Sequence, residues 1–258
     1  MNLLTEISGG VARITMNRPE VHNAFDADLI GALEAAFVAC ADDPSVRAIV
    51  LAGAGRSFSA GGDLKWMKSM IGRDGAANRE DSLGLARMFT TIDDCPKPVV
   101  ARIQGAALGG GVGLTAACDI VVAGPRALFG LSEVRLGLAP AVISPFVVRK
   151  IGSSKARELF LTGDRFGPEE AQRCGLVHRI VGDEAELDGA VDVVLASVLK
   201  GGPQALAACK ELAKFADVWE EPAERTTAMI ARLRISEEGQ EGMRSFLMKR
   251  KPSWMEDA

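Results

Sequence analysis

Residues 107–119 read ALGGGVGLTAACD, with four glycines in five positions (Gly109, Gly110, Gly111 and Gly113) ahead of an apolar run suited to a buried helix. A glycine turn that opens a helix leaves backbone N–H groups without acceptors. The positive helix end then favours any oxygen that carries or develops negative charge. A second such turn lies upstream in SFSAGGDLKWM (57–67), where Ala60 precedes Gly61 and Gly62. Two turns that each aim one N–H at a single oxygen would form an oxyanion hole. The plainer reading is two tight turns whose glycines permit close packing, and spacing alone leaves both open.

Outward from this stretch the chain repeats one rhythm. VARITM is a strand, and DADLIGALEAAFVACAD an amphipathic helix with Asp26 as its N-cap. VRAIVLAGA then leads through a glycine turn into GDLKWMKSM, KPVVARIQG leads into GGGVGLTAAC, and DIVVAG leads through ALFG toward AVISPFVVRKIG. Strand, strand, helix predicts an α/β fold. From about Ser153 helices dominate, and KGGPQ marks a boundary near Pro203. The expected organisation is a core over 1–202 holding the site and a C-terminal helical region over 203–258. The apolar stripes of that region call for a partner subunit. The polar stretch GRDGAANREDS (72–82) reads as a mobile loop.

Composition narrows the function. The chain has 258 residues, 48% hydrophobic and 25% charged, with net charge −4, which suits a globular domain and offers no electrostatic footprint for nucleic acid. No apolar run approaches the length of a membrane span and no signal peptide opens the chain, so a soluble, cytoplasmic protein without a membrane partner is expected. Five scattered cysteines without CxxC spacing fit a reducing compartment. With His22 and His178 the only histidines, a metal site is not expected. No GxSxG supports a serine hydrolase and no GxxxxGK[ST] a phosphate loop. Gly111, Gly113 and Ala116 do satisfy GxGxx(G/A), with Glu133 downstream. This dinucleotide reading is disfavoured because GAAL separates the glycines from their strand and no second Rossmann half follows.

Seven segments in order, NRPEVHNAFD, SFSAGGDLKWM, GAALGGGVGLTAACDIVVA, FGLSEVRLGLAP, LTGDRF, AQRCGLVHRIV and FLMKRKPSW, resemble signatures of the enoyl-CoA hydratase/isomerase (crotonase) superfamily. The resemblance spans nearly the whole chain. It implies a spiral of repeated ββα units with a C-terminal trimerisation region, a homotrimer or dimer of trimers, and acyl-CoA thioester substrates. No cofactor is implied, since coenzyme A is part of the substrate. Carried over by position, it makes the N–H groups of Ala60 and Gly110 the oxyanion donors, with Gly62 and Gly109 beside them.

The resemblance also implies two glutamates for an ordinary hydratase. Glu133 in FGLSEV matches one, whereas Gly113 stands where the other would be. Glu133 is therefore the expected general acid/base. The single carboxyl keeps an isomerase open beside a hydratase, and a non-catalytic acyl-CoA-binding member as a third reading. LSEVRLGLAPAVISPFVV (131–148) looks most like bacterial hydratases of branched or carboxylated enoyl-CoA substrates, the methylglutaconyl-CoA and isohexenylglutaconyl-CoA type. For binding, the resemblance points to Lys65 after the first turn and to Phe246 and Lys249 reaching from a neighbouring subunit, with Gly62, Asp63 and Gly109 at the turns as further substrate-binding candidates. Trp66, Met67 and Met70, at helical spacing after that turn, are candidates for the acyl pocket, and Arg135 or Arg149 for a substrate carboxylate.

Overall fold

The computed structural model describes residues 1–215, 218 and 220–255; residues 216, 217, 219 and 256–258 of the expected C-terminal region lie outside the described residues. The chain opens with a hairpin of β1 (Leu3–Ser8) and β2 (Val11–Met16), followed by α1 (Ala27–Asp42) and β3 (Ala48–Gly53). Helices α2 (Leu64–Met70) and α3 (Gly75–Asp93) precede β4 (Val99–Ile103), β5 (Ala106–Leu108) and α4 (Gly110–Ala117). Next come β6 (Ile120–Ala123), β7 (Leu128–Gly130) and α5 (Ser144–Thr162), a helix broken at Gly152, where φ is 75°. The chain ends through β8 (Arg165–Phe166), α6 (Pro168–Arg173), β9 (Arg179–Ile180) and helices α7 (Leu187–Val198), α8 (Pro203–Phe215), α9 (Pro222–Ile235) and α10 (Glu237–Leu247).

A six-stranded sheet runs β1-β2-β3-β4-β6-β9, parallel except for the β1/β2 hairpin, and a smaller sheet runs β5-β7-β8. Each repeat gives its first strand to the large sheet and its second to the small one: β4 then β5, β6 then β7. The extended segment after β3 behaves in the same way, since Ser59 forms a parallel bridge with Ala107. The rhythm read in the sequence is thus a spiral of ββα turns. GAAL, read above as a spacer, contains β5, which runs directly into Gly109.

Alternation of side chains sorts the large sheet's two faces. Val11, Ala48, Val50, Val100 and Val122 pack under Leu187, Val191, Val194 and Leu195 of α7. Their neighbours Ile14, Ile49, Leu51, Ala101 and Val121 join the main core with Leu29, Leu33 and Phe37 of α1 and Met88, Phe89 and Ile92 of α3. Helix α1 starts where expected, the Asp26 side chain accepting from the Leu29 N–H at 2.9 Å.

The polar stretch 72–82 is not the mobile loop expected. Asp74 caps α3 by accepting from the Ala77 N–H at 2.8 Å, and the polar residues are the exposed start of a helix whose later turns bury Met88, Phe89 and Ile92. The C-terminal helices dock through charge as well as contact. Lys210 pairs with Asp119 at 2.6 Å, and Lys214 with Asp93 and Asp94. Of α9 and α10 only Met229 and Ser245 are buried.

Asp26→Ala removes the α1 cap and is expected to cost about 1 kcal/mol, read as a lower urea midpoint at unchanged slope.

Candidate active site

Three strand ends meet at the site. Ser59 N–H donates to Ala106 O at 3.0 Å and Leu108 N–H to Ser59 O at 2.9 Å, which sets the first glycine turn beside β5. Strand β5 in turn pairs with β7, and Gly109 N–H donates to Gly130 O at 2.8 Å. The next residues in each segment are Ala60–Gly62, Gly109–Gly110 and Leu131–Glu133. Successive spiral turns thus deliver both glycine turns and the glutamate to one place. The turns approach closely, for a Cβ built on Gly61 (φ 86°) would lie 2.7 Å from Leu108 O and 3.5 Å from Gly110 N.

The hydrogen bonds decide which N–H groups remain available. Ala60 N–H donates to His22 O at 2.9 Å, so the donor expected at Ala60 is already spent on the fold. Gly62 differs. It pairs in parallel with Phe25, whose N–H donates to Gly61 O at 2.6 Å and whose carbonyl accepts from Asp63 N–H at 2.8 Å. Those bonds bracket Gly62 and turn its own N–H away from Phe25, in the alternation of a ladder. At the second turn Gly110 is the first residue of α4, where helical N–H groups have no internal acceptor. Gly109 precedes it at φ 52°, a left-handed conformation that favours glycine.

Glu133 closes the triangle. A Cβ on Gly109 would sit 3.2 Å from Glu133 Oε1, and Oε2 is buried without a hydrogen-bond partner. Burial pushes this carboxyl above the ordinary glutamate range, opposed only by its own backbone N–H. Gly113, one turn into α4, is occluded: a Cβ there would lie 2.4 Å from Ile143 Cγ2 and 2.9 Å from Phe89 Cε1. Protein side chains fill the volume that a second carboxylate would enter.

The remaining candidates divide. Asp63 accepts from the Lys65 and Trp66 N–H groups and from Arg18 Nη2 at 3.0 Å. Burial alone would raise its carboxyl, but these donors hold it below its ordinary value. Its oxygens are committed to capping α2 and to Arg18, so Asp63 braces the turn, contrary to the binding role expected of it. Trp66 and Met67 lie over Gly62, within 3.7 and 3.5 Å of where its Cβ would be, and Trp66 Nε1 donates to Asp81 at 3.2 Å. Met70 is half-buried and Lys65 is exposed. Phe246, 82% exposed, and Lys249 lie at the end of α10, which packs on α9. Arg149 pairs with Asp93 and Arg135 with Asp164 at 2.6 Å. A cavity of about 980 Å³ opens at the far end of α4, with Ala117, Cys118, Lys210 and Lys214 in its lining. Lys210 and Lys214 are paired with aspartates there, Lys150 donates to the Cys118 and Asp119 carbonyls, and the chemistry described above lies elsewhere.

Sequence reasoning missed the bracing shell. Asn23, fully buried, donates to Ala54 O and Ser57 O at 2.9 and 2.8 Å and accepts from Arg18 N–H. Arg18 reaches Asp26 and Asp63, and the Phe25 ring packs against Gly110. The NRPEVHNAFD segment was the available signal, though nothing local revealed what it braces.

The chain is similar to known proteins over nearly its whole length. The family model described as enoyl-CoA hydratase/isomerase matches residues 6–257. A crystal structure of an enoyl-CoA hydratase from Shewanella pealeana superposes with a TM-score of 0.95 at 38% identity, covering 98% of this chain and 96% of that one. Pseudomonas aeruginosa AtuE gives 0.94 at 39% identity, covering 98% and 99%. The mevalonyl-coenzyme A hydratase sidH of Aspergillus fumigatus is 33% identical over 246 residues, 93% of this chain and 90% of its own. The chain belongs to the enoyl-CoA hydratase/isomerase family. Among the described residues no helix is long and apolar enough to cross a membrane, and no group of three or more His, Cys, Asp or Glu could hold a metal ion.

Two stability tests follow from the packing. Gly113→Ala gains about 1 kcal/mol of helix propensity, but its Cβ overpacks a closed core at a cost of about 1–3 kcal/mol. Net destabilisation is expected in urea titration, and more with Gly113→Glu. For Glu133 the raised folded pKa means that its contribution is full at low pH and is lost as pH rises through the folded value. Glu133→Gln is therefore expected to raise Tm relative to the parent at pH 7 and to do so less at pH 4.

Proposed function

We propose that the protein adds water across the double bond of a 2-enoyl-CoA thioester to give a 3-hydroxyacyl-CoA, with Glu133 as its single acid/base. The supporting observation is a partly desolvated carboxyl with one oxygen, Oε2, buried and without a partner, set against a turn whose helix N-terminus carries free N–H groups. The thioester oxygen sits between the N–H groups of Gly62 and Gly110. Glu133 takes a proton from water as the hydroxyl adds to C3, and negative charge moves to the thioester oxygen as an enolate. The protonated Glu133 then returns the same proton to C2, leaving the carboxylate restored and one water added. A carboxyl pushed up by burial suits both steps, because it is a stronger base and still a usable acid.

Trp66 and Met67 line the acyl side in this reading, and Lys65 meets the coenzyme. Phe246 and Lys249 reach the site from a neighbouring subunit of a homotrimer or dimer of trimers, a role supported by the exposed apolar end of α10. The apolar fill at position 113 and the engagement of Arg135 and Arg149 with aspartates favour a branched apolar acyl group over a carboxylated one. A Δ3-Δ2 isomerase is the second reading, favoured by the same single carboxyl, which would carry a proton from C2 to C4. A protein that merely binds acyl-CoA fits less well, because burying one carboxyl oxygen without a partner costs stability and serves nothing without chemistry.

Straight-chain, branched and carboxylated 2-enoyl-CoA and 3-enoyl-CoA thioesters incubated with the protein in heavy water test this directly. Hydration is expected. Double-bond migration without hydration makes it an isomerase, and bound but unchanged thioester makes it a binding protein. Glu133→Gln is expected to abolish turnover while leaving acyl-CoA binding intact; a variant near the parental rate excludes Glu133 as the acid/base. For the hole, Gly62→Ala keeps its N–H and meets only ordinary contacts, so its activity should persist. Gly62→Pro should lose about 10²–10³ in kcat.

A further inference from the structure

The end of α10 is tied shut. Glu241 Oε1 accepts from Ser245 Oγ at 2.9 Å, Arg250 Nη1 at 2.7 Å and the Ser253 N–H at 3.3 Å, while Oε2 accepts from Arg250 Nη2 at 2.8 Å. Arg250 and then Ser245 hold the Glu241 carboxyl down at about 2, so it stays ionised at any working pH. Between these anchors the chain reverses at Lys249, which takes a left-handed φ of 55°, and Arg250 N–H donates to Ser245 O at 3.0 Å. Trp254 completes the closure. It lies over Gly242, where a Cβ would be 3.1 Å from its Cη2, and its Nε1 donates to Lys200 O at 3.1 Å. Its carbonyl accepts from Arg47 Nη1 at 2.9 Å, and Arg47 also donates to Leu199 O and Gly201 O.

The product is a closed loop fastened to the core at its base, with Phe246, Leu247 and Met248 at its tip, 82%, 78% and 68% exposed. Fixing a loop costs conformational entropy. Here polar contacts at the base offset that cost, and the tip gains no burial from its order. Such an arrangement makes sense when the tip must arrive preformed at something it binds, since prior ordering removes that cost from the binding step.

We propose that Glu241 is a positioning residue for acyl-CoA binding: its fork with Arg250 and its bonds to Ser245 and Ser253 hold the Phe246–Lys249 turn in the shape that meets the coenzyme bound by a neighbouring subunit. The inference rests on the assignment of Phe246 and Lys249 made under Proposed function. Glu241 itself touches no substrate, so its loss should weaken binding and spare the chemical step.

Steady-state kinetics of the assembled full-length protein, with a 2-enoyl-CoA that it turns over, provide the test. Glu241→Ala is expected to raise KM about tenfold while kcat stays within about twofold. Glu241→Gln, which still accepts from Ser245 and Ser253 but loses the charged fork, should fall between Glu241→Ala and the parent. Phe246→Ala should also raise KM, and adding Glu241→Ala to it should raise KM little further, because both act through the same turn. Melting curves establish that each variant is folded; if Glu241→Ala is not, Glu241→Gln carries the same comparison. A raised KM in Phe246→Ala with parental KM in the Glu241 variants overturns the positioning role alone. Full additivity in the double variant, or a fall in kcat at unchanged KM, overturns it too. Parental KM in Phe246→Ala removes the assignment beneath it, and the inference with it.

Discussion

Phe25 is the residue on which the site depends. Its backbone pairs with both neighbours of Gly62, and its ring occupies the space beside Gly110, where any Cβ would lie 2.4 Å from Cε2. One side chain and one peptide unit thus set the separation and facing of the two glycine turns. Arg18, Asn23 and Asp63 hold Phe25 and its turn from behind through interactions that are largely buried. Rigid support of this kind lets backbone dipoles stabilise charge without reorganising as the charge appears.

The electrostatics of the site follow from what surrounds it. The chain carries a net charge of −4, yet at the site the fixed partial charges are positive, from the start of α4 and the bracketed turn. The one carboxyl sits at the edge of this field and is desolvated. Its two protonation states are thereby brought closer in energy, which proton transfer in both directions requires. A second carboxylate nearby would raise the pKa of one partner further and divide the labour; Ile143 and Phe89 leave no room for one at position 113.

Much of this was legible in the sequence because period-2 and period-3.6 patterns alternate cleanly, and because Glu133 stands in a motif that could be matched by position. Composition misled at 72–82, where a capped, solvent-facing helix start has the residues of a loop. The choice between the Ala60 and Gly62 N–H groups was beyond local reading. It turns on the bond from the Ala60 N–H to His22 O and on the pairing of Gly61 and Asp63, the neighbours of Gly62, with Phe25, contacts between segments distant in the chain. The bracing role of Asn23 was hidden for the same reason, since its acceptors at Ala54 and Ser57 are remote from it in sequence.

The closed volume at Gly113 also couples that position to its wall. A single codon change to glutamate there meets Ile143 and Phe89 before it can meet a substrate, and a smaller residue at 143 alone opens a void in the core. Each first step is disfavoured unless the other has already been taken. Converting this site to a two-glutamate form is thus a matter of repacking the wall formed by Ile143 and Phe89, and not of one side chain alone.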